Sequence, residues 1–462
     1  MVFSSLKFIG IFLPILLICY SLVTTEHKKY ILLLGSILFY AAGEPVYVVI
    51  FVTSLIINYW LSLLMGKPAK NVKRFFFILA ILWNVSLLFF FKYYDFFAGE
   101  VDKLIGFERI PILGLALPLG ISFYTFQIIS YQIDLYKGKI QRAKSFTDFS
   151  VYVSMFPQLV AGPIVRFDDI SEEIIKPHFT LANVESGLKT FTIGLGLKVL
   201  LANQISTLFF SIQQIGAHNL DISMAWLGAL SYTFQIYFDF WGYSLMAIGL
   251  GEMLGYRLPV NFNNPYIAKS VTDFWRRWHI TLSEWFRDYI YIPLGGNRKG
   301  KIRMIFNLLI VWALTGFWHG ASWNFLLWGL FFFALIVIER TGLGKLLEKT
   351  HFIGHVYVCL IIPISWMIFA QTDLHVLKDY ILAMVGANYA DSMIDTVHIV
   401  RYLKEYSWLL ALCVLFSTPL PMKLYEKFKK NIITDLILFA IFWLSVYEIY
   451  LGKNNPFLYF RF

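Results

Sequence analysis

Charge is scarce in this sequence. Only 15% of its 462 residues are Asp, Glu, Lys or Arg, where a soluble chain carries about 25%, and that shortfall excludes an ordinary solvated surface. Cysteine is scarcer still. Cys19, Cys359 and Cys413 stand alone in apolar runs, with no CxxC and no metal-ligand spacing. This excludes a disulfide framework and reads as three buried, reduced thiols. There is no low-complexity stretch, no internal repeat and no soluble appendage; the longest polar stretches, such as Ser171–Ala182 and Tyr389–Thr396, are short loops. No A-x-A cleavage site follows the first apolar run, so Met1–Val23 reads as a retained first helix.

What is present is apolar and aromatic. Hydrophobic residues make up 58% and aromatics 19%, and the mean hydropathy is +0.65. Runs such as Ile31–Phe39, Phe75–Phe91, Leu308–Leu314 and Phe325–Ile338 recur from end to end. A bilayer core takes roughly 20 apolar residues per helix, which gives about ten or eleven spans. Lipid-exposed backbone must satisfy its own hydrogen bonds, so the spans are helices. The chain reads as an all-α polytopic membrane protein. Its net charge of +10 belongs to short, separated clusters, Lys67–Arg74, Lys137–Lys144, Arg298–Arg303 and Lys423–Lys430. Those fit cytoplasmic loops beside anionic lipid, not nucleic acid.

Several spans carry groups that lipid would not tolerate. Leu113–Tyr136 holds Ser122, Gln127, Ser130, Gln132 and Asp134, which must face protein or a wet cavity; polar glue between helices is the plainer reading. In Ser154–Ile170 the apolar run is broken at Pro157, Gly162 and Pro163, with Gln158 between them. Broken helices at membrane depth belong where they line a cavity or lie buried in protein. Asp239 sits among Phe238, Phe240 and Trp241, and a carboxylate there calls for a partner, with the arginines downstream as candidates.

The densest stretch is Asp273–Asp288. Read as one helix, it places Trp275, His279, Ser283 and Arg287 on one face, and Asp273 and Arg277 on another. Arg276 and Asp288 complete the cluster. An interfacial amphipathic helix and a buried functional helix both remain open. Further on, His319 lies between Gly316 and Gly320 in an apolar run. If Arg298–Arg303 marks the cytoplasmic surface, a helix from Met304 rises roughly 24 Å to His319, past the midplane. That depth suits a general base reached from outside, with the glycines clearing space; a neutral histidine in a helix contact is the alternative.

The stretch DFWRRWHITLSEWFRDYIYIPLGGNRKG, followed by NLLIVWALTGFWHGASWNFLLWG, resembles the membrane-bound O-acyltransferase family in its alginate O-acetyltransferase-like branch. MFPQLVAGPIVRF, YTFQIYFDFWGYS, NFNNPY and the terminal PFLYFRF resemble the same branch. The resemblance implies a single integral membrane domain over residues 1–462, with re-entrant or amphipathic helices around a central tunnel. It implies a catalytic histidine at His319, in Trp318-His319-Gly320, and a second functional position at His279. Substrate-binding or tunnel-lining candidates are then Pro157, Gln158, Gly162, Pro163, Asp239, Trp275, Arg276, Arg277, Ser283, Arg287, Asp288, Asn297, Trp318 and Trp323. No metal and no tightly bound cofactor is implied.

The donor expected from the family is an acyl thioester, acetyl-CoA, drawn to the basic Arg298–Arg303 loop. The acceptor is a hydroxyl of an extracytoplasmic polysaccharide, in a bacterial inner membrane. No G-x-S-x-G nucleophile motif occurs, which fits the branch's use of a separate serine-esterase-like partner. Trp241 and Leu245 depart from the branch, where Ser and Asp are usual. The Leu245 form is closer to teichoic-acid D-alanylation relatives, whereas YIPLGGNRKG favours the alginate-like branch. D-alanyl transfer to teichoic acid is thus the rival within the family. A polar-substrate transporter, with its charges lining a path and inverted repeats that are not found, is the rival outside it.

Overall fold

The computed structural model describes residues 2–66, 69–160, 162–387, 392–452 and 458, and within them every regular element is helical. Lys67 of the first basic cluster, Ala161, the start of the polar stretch Tyr389–Thr396 and all of PFLYFRF except Leu458 lie outside the described residues. Among the described residues, seven helices are long and apolar enough to cross a bilayer: Tyr47–Leu64, Lys70–Ile105, Leu181–Ile215, Lys301–His319, Trp323–Leu347, Phe352–Ala370 and Ile432–Tyr450. The pair Ile399–Phe416 and Leu420–Phe428, bent by 68°, makes an eighth if it counts as one span. Several other apolar windows form shorter helices, such as Leu13–Leu22, Lys28–Gly43 and Ile121–Lys137. The protein is a multi-pass membrane protein.

By internal contacts the chain divides into two compact units, Met1–Phe191 with Tyr243–Val260, and Thr192–Gly242 with Asn261–Phe462. In the first unit the polar groups expected to face protein do so. Ile121–Lys137 is buried along most of its length, and Gln132 donates from Nε2 to the Asn58 carbonyl at 3.0 Å. Asn58 and Asn84 exchange side-chain amide bonds at 2.7 and 3.2 Å, tying two spans together. Such bonds satisfy groups that hydrocarbon cannot. The first apolar stretch is a helix whose Tyr20 hydroxyl donates to the Leu254 carbonyl at 2.8 Å.

The second unit is organised by one close helix pair. Lys301–His319 and Trp323–Ile338 meet where Gly316 faces Gly329. A Cβ on Gly329 would strike the Trp312 carbonyl, and one on Gly316 would strike the Phe325 carbonyl. The glycines beside His319 therefore do not clear space for a ligand, as the sequence suggested. Gly316 admits the backbone of the next helix, and Gly320 admits the Phe325 ring. The thiols also differ from expectation: Cys413 is buried, but Cys19 and Cys359 are exposed. On a helix surrounded by hydrocarbon, an outward thiol carries little penalty.

Candidate active site

The helix expected over Asp273–Asp288 is in fact two. Val271–Arg277 ends, Trp278 is extended, and Ile280–Phe286 begins after His279, whose φ of 42° and ψ of 56° are left-handed. The reason lies in the loop before it. The Asn263 amide donates to the Arg277 carbonyl at 2.9 Å and the Ile280 amide to the Asn261 carbonyl at 3.0 Å. The loop thus captures backbone groups that a continuous helix would have used internally. Among non-glycine described residues only Asn264 shares a positive φ, and strain of this kind persists where surrounding structure over-determines it.

Asn261 fixes the ring as well as the backbone. Its Oδ1 lies 3.1 Å from His279 Nδ1, 3.2 Å from the Thr281 amide nitrogen and 3.0 Å from Thr281 Oγ1. The Thr281 N–H can only donate, so the side-chain atom must be oxygen. His279 Nδ1 must then carry the proton, which leaves Nε2 as the acceptor of the ring. His279 is fully buried and lies outside the spanning helices. Burial pushes its imidazolium down to about 3, so the ring is neutral near pH 7.

His319 is the last residue of Lys301–His319 and is 4% exposed. Aromatic rings wall it: Trp318 at 4.9 Å, Trp328 at 4.9 Å and Phe369 at 5.2 Å between centroids, each near perpendicular. Trp318 also lies 6.3 Å from the His279 ring, so one indole stands beside both histidines. Phe240 lies edge-on to His279 at 4.7 Å. Trp275 extends the wall, meeting Trp328 at 5.5 Å and Trp312 at 4.9 Å. Edge-to-face packing of this kind holds rings in fixed orientation. The result is two buried imidazoles walled by aromatic rings, surroundings in which a charge is weakly screened.

The other sequence candidates fall into distinct places. Ser283 donates to the Trp275 carbonyl at 3.2 Å and so links the two short helices across the break. Arg277 pairs with Asp273 at 3.0 Å, and Arg287 with Asp288 at 2.6 Å and Glu284 at 3.5 Å. Arg276, Arg287, Asn297 and Trp323 are exposed. Asp239 does not pair with a downstream arginine: its partner is Lys198, upstream, at 2.6 Å. Pro157, Gln158, Gly162 and Pro163 are buried in the first unit, where the Gln158 amide donates to the Tyr152 carbonyl and Gly162 lies tight against Gln158. The sequence reading missed Asn261, Phe240, Trp328 and Phe369. NFNNPY stands out in the sequence as a turn and as part of the family resemblance, with no residue in it marked for a site, and aromatics are too common here to single any out.

Known proteins resemble this chain over most of its length. The model of the membrane-bound O-acyltransferase family matches residues 139–372, a stretch that contains both histidines. Over 385 residues the chain is 38% identical to the probable alginate O-acetylase AlgI of Pseudomonas putida, covering 81% of this chain and 78% of that one. It is 37% identical over 426 residues to the peptidoglycan O-acetyltransferase of Helicobacter pylori, covering 84% and 80%. With the teichoic acid D-alanyltransferase of Streptococcus thermophilus it shares 30% over 250 residues, 49% of this chain and 58% of that one. The chain belongs to the membrane-bound O-acyltransferase family. It is an acyltransferase.

Proposed function

We propose that this protein moves an acetyl group from a cytoplasmic thioester, acetyl-CoA, to a hydroxyl acceptor on the far side of a bacterial inner membrane, for O-acetylation of an envelope polysaccharide. The observation that carries the reading is the seat of His319: a buried imidazole at the very end of a spanning helix, walled by Trp318, Trp328 and Phe369. In the proposed step His319 takes the hydroxyl proton as the oxygen attacks the thioester carbonyl. The C–S bond breaks, the thiolate leaves and is protonated, and an ester and free CoA result. General-base help of this kind contributes about 10²–10⁴-fold. His279, neutral with its Nδ1–H held by Asn261, turns Nε2 toward the site as an acceptor and orients the acyl group; stabilising the oxyanion instead would require a proton on Nε2. An extracytoplasmic serine-esterase-like partner completes delivery to the polymer.

Acetyl transfer is favoured over D-alanyl transfer because the two O-acetylating relatives align over about four-fifths of the chain and the D-alanyl relative over about half. The test is purified protein in detergent with radiolabelled acetyl-CoA, with and without a partner esterase, reading free CoA. His319→Ala is expected to lower release by about 10²–10⁴-fold while the protein stays folded. Undiminished release in that variant refutes the base assignment. If acetyl-CoA is inert and a D-alanyl carrier protein is consumed, the donor assignment fails and D-alanyl transfer replaces it.

A further inference from the structure

Lys198 and Asp239 form an ion pair with Nζ–Oδ1 at 2.6 Å, and their side chains are 1% and 2% exposed. A pair this deep costs desolvation energy that mutual attraction alone rarely returns, so its surroundings matter. Two features deliver it. Lys198 sits on the π-helical turn Leu197–Ala202 and also donates to Asn203 Oδ1 at 2.9 Å. Gly242, one turn after Asp239, lets the two helices close: a Cβ there would stand 2.6 Å from the Gly194 carbonyl oxygen and 3.0 Å from the Lys198 nitrogen.

The ammonium meets carboxylate oxygen Oδ1. The other, Oδ2, accepts the backbone N–H of Leu458 at 2.8 Å, across 219 positions of sequence. Leu458 is 6% exposed. The helix before it, Ile432–Tyr450, is the opposite, with only 11% of its apolar window buried. Leu458 itself presents a buried amide to a buried carboxylate. Phe240, next to Asp239, is the ring that lies edge-on to His279, so this grip sits one residue from the wall of the candidate active site.

We propose that Asp239, its charge balanced by Lys198, is an internal docking site for Leu458, which it holds through the Leu458 backbone amide. A mere charge pair needs only opposite signs. A docking site needs an acceptor at position 239, charged or not, because the Leu458 N–H must be satisfied.

Cysteine labelling separates the two. In a chain carrying Cys19→Ser, Cys359→Ser and Cys413→Ser, a maleimide is reacted with Leu458→Cys and, as an exposed reference, Leu451→Cys. Labelling at position 458 is expected to be at least about tenfold slower than at 451; equal rates overturn the proposal without any change to the ion pair. Two double variants then avoid a lone buried charge. Lys198→Met with Asp239→Asn keeps a neutral acceptor and is expected to keep position 458 protected. Lys198→Met with Asp239→Leu removes the acceptor and is expected to raise labelling there by about tenfold or more. The same protection in both doubles overturns the role of Asp239.

Discussion

Asn261→Ala is the sharpest test of how the histidine pair is held. The substitution removes the oxygen that accepts from His279 Nδ1, the Thr281 amide and Thr281 Oγ1, at 3.1, 3.2 and 3.0 Å. The hydroxyl can turn elsewhere, but the buried imidazole and backbone N–H groups lose their acceptor. An unsatisfied buried donor costs about 1–3 kcal/mol, so the fold should lose roughly 2–4 kcal/mol. The single bond to His279 sets the catalytic share: about 1–3 kcal/mol in the barrier is roughly 5- to 160-fold in rate. Asn261→Asp keeps an acceptor and should fall less. The assay is single-turnover acyl transfer, with thermal unfolding in the same detergent as the stability control. The decisive comparison is a double-mutant cycle with His279→Asn. If Asn261 acts through the imidazole, adding Asn261→Ala to His279→Asn should cost little further rate. Fully additive losses refute the reasoning, as does a wild-type rate in folded Asn261→Ala.

Two other predictions concern the scaffold. Gly329→Leu drives a side chain into the Trp312 carbonyl and should destabilise the protein by about 1–3 kcal/mol or more, read as a lower unfolding midpoint; an unchanged midpoint means the helix contact is not tight. Glu339 accepts from the Val271 amide at 2.6 Å and from the Thr272 amide and hydroxyl at 2.9 and 2.6 Å, tethering the start of the helix that leads to His279. Glu339→Leu should leave those donors unsatisfied and cost about 2–4 kcal/mol, whereas Glu339→Gln, which keeps an acceptor, should cost less. Equal midpoints for the two variants contradict the tether.

The features legible in the sequence were those set by composition and by strong local pattern. Low charge and long apolar runs fixed the membrane class, and the polar residues of Leu113–Tyr136 pointed inward as hydrocarbon requires. His319 fell at the end of its helix because the apolar run ends at Gly320. The rest depended on long-range partners. Spacing alone made Asp273–Asp288 one helix, since nothing local announces that Asn261 and Asn263, well upstream, will capture its backbone. The conspicuous cations near Asp239 in the sequence are the arginines downstream. Lys198, inside an apolar run, reaches it only because Gly242 lets two helices close. The glycines around His319 read as free space, since a sequence does not reveal which atoms fill a gap.

The backbone at His279 acts as a filter on the residues that position can hold. Beyond glycine, a φ of 42° is tolerated mainly by asparagine, aspartate and histidine, and is a poor fit for branched or bulky apolar side chains. The non-glycine residues that pass this conformational sieve all carry a hydrogen-bonding group on a short stem. Geometry thus narrows the alphabet to side chains already suited to polar chemistry, before any substrate is present. Alanine is correspondingly a poor probe here, because it removes the imidazole and opposes the turn at once. Asparagine, which keeps the turn and changes only the chemistry, separates the two effects.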